Sequence, residues 1–208
     1  MREADNIREV AALGIDYMGM IFWSHSPRCF PSGNPQFPTF NAQQLKTVGV
    51  FVDEQPEVIA NRVESFGLDV IQLHGHEAPQ TIERLRHALP HVQIWKAVSI
   101  SSADSVVAYK DYEACVNAFV FDTKCKTVGG SGQQFDWSVL QAYDGQQPFL
   151  LSGGIGPDDA ERILAFHHPR CIGIDLNSRF EVSAGIKDVA ALSRFLNRIQ
   201  HQKSKRHE

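Results

Sequence analysis

No stretch of this chain is apolar for long enough to span a bilayer, so the sequence argues against a membrane protein built from helices. Excess positive charge is missing too. Lys and Arg number 20 against 24 Asp and Glu, a formal net charge of −4, which leaves no basic footprint for nucleic acid. Cysteine is scarce: Cys29, Cys115, Cys125 and Cys171 form no C-x-x-C pair and have no His at metal-ligand spacing. That argues against a disulfide framework or a zinc site and fits a reducing cytoplasm. The opening Met1–Arg2–Glu3–Ala4–Asp5 is polar and acidic, unlike a secretory signal.

What is present is an ordinary soluble composition, 43% hydrophobic and 21% charged over 208 residues. This length suits one α/β barrel domain. Seven short apolar runs read as strands: Ile15–Phe22, Thr47–Val52, Leu68–Leu73, Val92–Val98, Asn117–Phe121, Gln147–Leu151 and Cys171–Leu176. Continuous apolar runs of this length are the mark of parallel strands buried on both faces. Helical patterns alternate with them, at Glu3–Leu13, Gln55–Phe66, Ala78–Leu89, Ala103–Tyr109, Trp137–Ala142 and Asp158–Phe166, with a short helix at Ala42–Lys46 and a closing one at Lys187–Ile199. Pro31–Pro38 is a proline-rich excursion. The pattern predicts a (β/α)8 TIM barrel over residues 1–200, with a polar tail over 201–208. The chain opens on a helix, and a barrel needs eight strands, so the expected first β-strand is missing from these residues.

The most informative stretch is Phe119–Val120–Phe121–Asp122, an apolar run ending in a carboxylate and followed by the loop Val128–Gly129–Gly130–Ser131–Gly132. Asp122 either points into the mouth of the sheet or caps its own loop. Gly153 and Gly154 follow the next strand. Glycine turns after successive barrel strands let backbone N–H groups approach a phosphate. Asn177–Ser178–Arg179, after the last strand, offers further N–H groups at a helix start. Arg28 is a guanidinium at the same mouth, able to grip a carboxylate from two sides. Asp175 is a carboxylate in an apolar strand, suited to contacting a ligand or holding a loop. Lys96 is expected to point inward and pair with a carboxylate. Gln72 and His74, at a strand end, are further candidates, while His25, His167 and His168 read as solvated or structural.

Taken together, these residues resemble phosphoribosylanthranilate isomerase of tryptophan biosynthesis. The resemblance is carried by Tyr17–Phe22 with Ser26–Pro27–Arg28, Val48–Val52, Ile71–Gln72–Leu73–His74–Gly75, Phe121–Asp122–Thr123–Lys124, Gly129–Gly132, Phe135–Asp136–Trp137, Leu151–Gly154 and Gly173–Ile174–Asp175. It implies an Amadori rearrangement of N-(5-phosphoribosyl)anthranilate to 1-(2-carboxyphenylamino)-1-deoxyribulose 5-phosphate, without metal or cofactor, in a cytoplasmic monomer or homodimer. By the family pattern Asp122 is the general acid and Arg28 holds the anthranilate carboxylate. Gly129, Gly130, Gly153, Gly154, Ser178 and Arg179 lie in the phosphate-holding loops, and Asp175 contacts the sugar. The family's base is a cysteine in a Lys-x-Cys-Gly context. Met1–Asp5 matches the segment just after it, so these 208 residues are expected to have little activity by themselves. A phosphosugar-binding barrel remnant without catalysis is the alternative. A metal-dependent pentose-phosphate epimerase fits less well, because His74 alone does not supply a ligand set.

Overall fold

A computed structural model describes residues 1–31, 45–123 and 136–205 of the chain. Helix α1 (Ala4–Ala11) leads to β1 (Tyr17–Ile21) and β2 (Lys46–Phe51). Then come α2 (Pro56–Phe66), β3 (Val70–Leu73), α3 (Pro79–Ala88), β4 (Gln93–Ile100), α4 (Ala103–Val106) and β5 (Ala118–Thr123). The last third holds β6 (Phe149–Ser152), α5 (Ala160–Ala165), β7 (Cys171–Ile174), a hairpin of β8 (Glu181–Ser183) and β9 (Ile186–Lys187), and α6 (Val189–Lys205). All seven expected strands are present and parallel, in the sheet order β1-β2-β3-β4-β5-β6-β7.

Strand side chains alternate between two faces, and both faces are apolar here. One face packs Val48, Val70, Trp95, Ala97, Ala118, Val120 and Leu150 together, with Tyr17 and Val50 against them. The other sends Met18, Met20, Phe51, Ile71, Leu73, Ile94, Phe119, Phe121 and Leu151 into the core shared with the helices. On the first face Tyr17 of β1 meets Trp95 of β4 edge to face, with ring centroids 4.8 Å apart. Strands three places apart in a flat sheet stand about 14 Å apart, so this contact shows that the sheet curls. The curl makes that face the inside of a barrel.

Among the described residues no strand pair joins β1 to β7, and the side of β1 away from β2 is met only in part, by the Ile21–Cys29 bridge with the Phe30 N–H on the Ile21 carbonyl at 2.7 Å. Ile172 on β7 is 59% exposed. Beside the other edge, the Met1 amino group donates to the Gly19 carbonyl at 2.9 Å.

Several local expectations need correction. The helix expected at Ala103–Tyr109 is α-helical to Val106 and continues as a 3-10 turn, Val107–Asp111, and the one expected at Trp137–Ala142 is wound as a 3-10 helix over the same residues. Such i→i+3 winding serves where a connection is short. Lys187 does not open the closing helix. The Asn6 carboxamide donates to the Lys187 carbonyl and accepts from its N–H, at 2.9 and 2.8 Å, and so holds it in β9. Helix α6 then starts at Val189 and runs to Lys205, into the segment expected as a tail. Lys46 opens β2 and does not end a helix. Residues 42–44 of that expected helix, most of the proline-rich excursion, Lys124, Cys125 and the loop carrying Gly129 and Gly130 lie outside the described residues.

Candidate active site

The inner-face alternation decides what reaches the mouth. Gln72 shares a face with Val70, Asp122 with Val120, and Ser152 with Leu150, each at the C-terminal end of its strand. These ends, with the loops that follow them, gather the candidate residues into three groups.

The first group lies on β3 and β5. The Gln72 Nε2 stands 3.0 Å from His74 Nδ1, and His74 Nε2 faces Asp122 Oδ2 at 3.6 Å. Asp122 therefore points inward, where it meets an imidazole from the end of β3, two strands away. Its side chain is 18% exposed and that of His74 33%. Both are open enough to be reached by a small molecule and covered enough to keep a defined orientation.

The second group lies after β6 and β7. Ser152 Oγ donates to Asp175 Oδ2 at 2.9 Å, and the Asp175 N–H extends the ladder to the Leu151 carbonyl. Gly153 and Gly154 have φ of +95° and +65°, a turn that residues with a Cβ enter at a cost. The two loops touch: a Cβ on Gly156 would sit 3.1 Å from Cδ of Arg179. Ser178 and Arg179 lie in a single 3-10 turn, Ser178–Phe180. These glycine turns and Arg179 thus come together at one corner of the mouth.

The third group borders the open edges. Arg28 grips Glu181 from two sides, Nε to Oε2 at 2.8 Å and Nη2 to Oε2 at 2.8 Å, with Nε to Oε1 at 3.1 Å. Lys187 Nζ adds a contact to Glu181 Oε1 at 3.3 Å and donates to Asn177 Oδ1 at 2.8 Å. Sequence reasoning missed Glu181 and Lys187. They are separated from Arg28 by more than 150 positions, and no local pattern points to the pairing.

Burial by itself pushes the Glu181 carboxyl up, but hydrogen bonds from Arg28 and Lys187 outweigh it and hold the group below its ordinary value. Burial lowers the Lys187 ammonium, with Glu181 opposing. A carboxylate with a depressed folded-state pKa contributes stability that is present above its unfolded value, near 4.5, and lost as pH falls through the folded one. Glu181→Gln is therefore expected to flatten the loss of stability below about pH 4.5, read as urea midpoints along an acid series. An unchanged acid limb would show that the ion pair contributes nothing to acid resistance.

Lys96 is buried, but on the opposite face from the one expected. It lies between Ile94 and Val98, which belong to the core shared with the helices, and it pairs with Glu77 at 3.2 Å. The three described cysteines do not meet Asp122. Cys115 precedes β5 and Cys171 opens β7, at the strand ends away from the mouth, and Cys29 Sγ contacts the Phe30 carbonyl in its own loop.

Parallel strands in sequential order, helices outside, and polar side chains collected at the C-terminal strand ends define a (β/α) barrel enzyme. A family model described as N-(5'phosphoribosyl)anthranilate (PRA) isomerase matches residues 1–198. The N-(5'-phosphoribosyl)anthranilate isomerase of Parabacteroides distasonis is 43% identical over 203 residues, 97% of this chain and 91% of that protein. The crystal structure of phosphoribosyl anthranilate isomerase from Thermotoga maritima has a TM-score of 0.82 at 26% identity, with 97% of this chain and 96% of that one covered. A structure of the isomerase in complex with reduced 1-(o-carboxyphenylamino)-1-deoxyribulose 5-phosphate has a TM-score of 0.80 at 23% identity and covers 97% of this chain and 95% of that one. The chain belongs to the phosphoribosylanthranilate isomerase family and is an isomerase of tryptophan biosynthesis.

Proposed function

We propose that this barrel carries out the Amadori rearrangement of N-(5-phosphoribosyl)anthranilate with Asp122 as the general acid. The observation that carries the assignment is the inward Asp122 carboxyl, held 3.6 Å from His74 at the mouth. The reaction begins when an acid protonates the furanose ring oxygen, the C1–O bond breaks, and a Schiff base forms. A base then removes the C2 proton, the electron pair moves to give an enolamine, and tautomerisation yields the ketone. No cofactor enters this scheme.

The remaining residues take their places around that carboxyl. The glycine turn at Gly153 and Gly154, with Ser178 and Arg179, supports a phosphate site at the corner where their loops touch. Gly129 and Gly130 belong to the same proposed site by the family pattern and lie outside the described residues. Asp175, oriented by Ser152, is assigned to the sugar hydroxyls. Gln72 acts through His74, donating to its Nδ1 so that Nε2 faces Asp122. The ligand is a small phosphosugar, the setting is cytoplasmic, and the assembly is a monomer or a homodimer. No described helix is long and apolar enough to cross a membrane.

Arg28 is assigned to the anthranilate carboxylate. Glu181 occupies its Nε and Nη2, so the substrate would meet the outer Nη1 end of the same fork. In a protein extended ahead of Met1 by a strand ending in Cys-Gly, replacing Arg28 by Ala should raise KM about 10- to 100-fold, the worth of hydrogen bonds to a charged group, with a smaller effect on kcat. Arg28→Lys should not restore binding, because an ammonium lacks the planar fork. The assay is loss of phosphoribosylanthranilate fluorescence, and an unchanged KM would remove Arg28 from the site.

The base is the open position in this scheme. The family places it on a cysteine upstream of the segment matched by Met1–Asp5, and no described cysteine lies beside Asp122. That observation favours a second reading for these 208 residues by themselves, phosphosugar binding without turnover. Binding of the product phosphosugar to a chain that shows no turnover would support it.

A further inference from the structure

Lys96 and Glu77 are two buried charges to which the reaction scheme gives no part. They are 2% and 6% exposed. Lys96 stands where the strand period calls for an apolar residue, and a buried ion pair of this kind is seldom more stable than a well-packed apolar pair. Its geometry is therefore more informative than its charge. Lys96 Nζ donates to the Gly75 carbonyl at 2.8 Å and to the Leu73 carbonyl at 3.2 Å, the residues on either side of His74. A third bond, at 3.0 Å, goes to the Ala97 carbonyl on its own strand, and the Tyr112 ring lies over the ammonium with its centroid at 5.4 Å. Glu77 completes the arrangement: its Oε1 accepts from the Gly75 N–H at 3.0 Å and from the Asp53 N–H at 3.1 Å, and its Oε2 faces Lys96 at 3.2 Å.

We propose that Lys96 and Glu77 are positioning residues that clamp the peptide on both sides of His74 and so fix its imidazole against Asp122. Neither charge reaches the mouth. They act from behind the strand, on backbone atoms at 73, 75 and 53, and the only side chain between the clamped peptides is that of His74. The strand end is where the inter-strand ladder runs out, since the His74 N–H makes its last bond to Phe51 at 2.8 Å. Beyond that point β-sheet hydrogen bonding no longer dictates where a side chain aims, and a buried ion pair takes over. The inference rests on the reading of Asp122 and His74 as the reactive pair.

The test measures the contact between His74 and Asp122 directly, so it does not depend on turnover. Nitrogen-15 NMR of histidine-labelled chain, with His74→Asn for assignment, follows the His74 ring resonances before and after Asp122→Asn. In the parent chain that substitution is expected to move them. In a Lys96→Met background the response should fall by half or more, and likewise with Glu77→Gln, while the ring resonances of His168, which packs against Tyr143 and Phe149, do not change. If either single variant fails to fold because one buried charge is left alone, the Lys96→Met/Glu77→Gln double variant removes both charges and should show the same reduced response. A full response in a folded variant would reduce the pair to a structural bridge and overturn the proposal. The same holds if the parent's His74 resonances ignore Asp122→Asn. Turnover surviving Asp122→Asn would sink the acid assignment instead, and the NMR response would stand apart from it.

Discussion

In a protein extended ahead of Met1 by a strand ending in Cys-Gly, Asp122→Asn is expected to lower kcat about 10²- to 10⁴-fold, the range over which a positioned proton donor contributes. The substitution keeps the shape of the side chain and an oxygen that can accept from His74 Nε2, so the contact seen at 3.6 Å has a neutral substitute. What it removes is the proton that the ring oxygen must receive before the C1–O bond can break. KM should change by no more than about threefold, since the phosphate corner and Arg28 hold the substrate through other groups, and uniform binding is then intact. The fluorescence assay gives both constants, and far-UV circular dichroism checks that the barrel still forms. A variant retaining more than about a tenth of the parent kcat, well outside the expected range, would move the acid elsewhere. His74 would be the next residue to test, because it is the neighbour already aimed at the same place.

Much of the fold could be read from the chain because the barrel's physics is local. A parallel strand buried on both faces has to be a short apolar run, and each of the seven runs forms a strand, from Tyr17–Ile21 to Cys171–Ile174. The position of Asp122 was legible for the same reason, since a carboxylate that ends such a run stands at the mouth. Its direction was not. Alternation along a strand assigns faces only once the register is known, and a one-residue slip reverses every assignment. Lys96 shows the consequence: it is polar in an apolar strand, as is Asp175, yet it lies on the outer face. Partners distant in sequence were beyond reach altogether. Asn6 holds Lys187 in an extended strand, and Glu181 takes the Arg28 fork, through contacts that no window of sequence contains. The reduction of Trp137–Ala142 to a 3-10 turn belongs to the same class. The Tyr143 ring that follows the turn packs with Phe119, Phe121 and Phe149, its centroid 5.1 Å from that of Phe121, so the chain passes from the turn directly into the core.

The other large effect concerns the open edges of β1 and β7. A protein carrying about ten further residues ahead of Met1, a strand's length, and ending that strand in Cys-Gly, is expected to isomerise at least about 100-fold faster than the 208-residue chain. Two separate causes are involved, and a third protein divides them. The added strand gives continuous backbone partners to both edges, of which β1 now has only the contacts from Met1 and Phe30 to Gly19 and Ile21, and it covers Ile172, now 59% exposed; incompletely paired edges invite association. Thermal midpoint and solubility should therefore rise. The cysteine supplies the acceptor for the C2 proton. Changing it to Ala in the extended protein should keep the gain in stability and lose the gain in rate. If the Ala form turns over as fast as the Cys form, the strand serves only to shape the site, and the base lies among the 208 residues. If the 208-residue chain already matches the extended one, the same conclusion follows without help from the strand. The search for the base then turns to His74 and to Cys125, the thiol nearest Asp122 in the sequence.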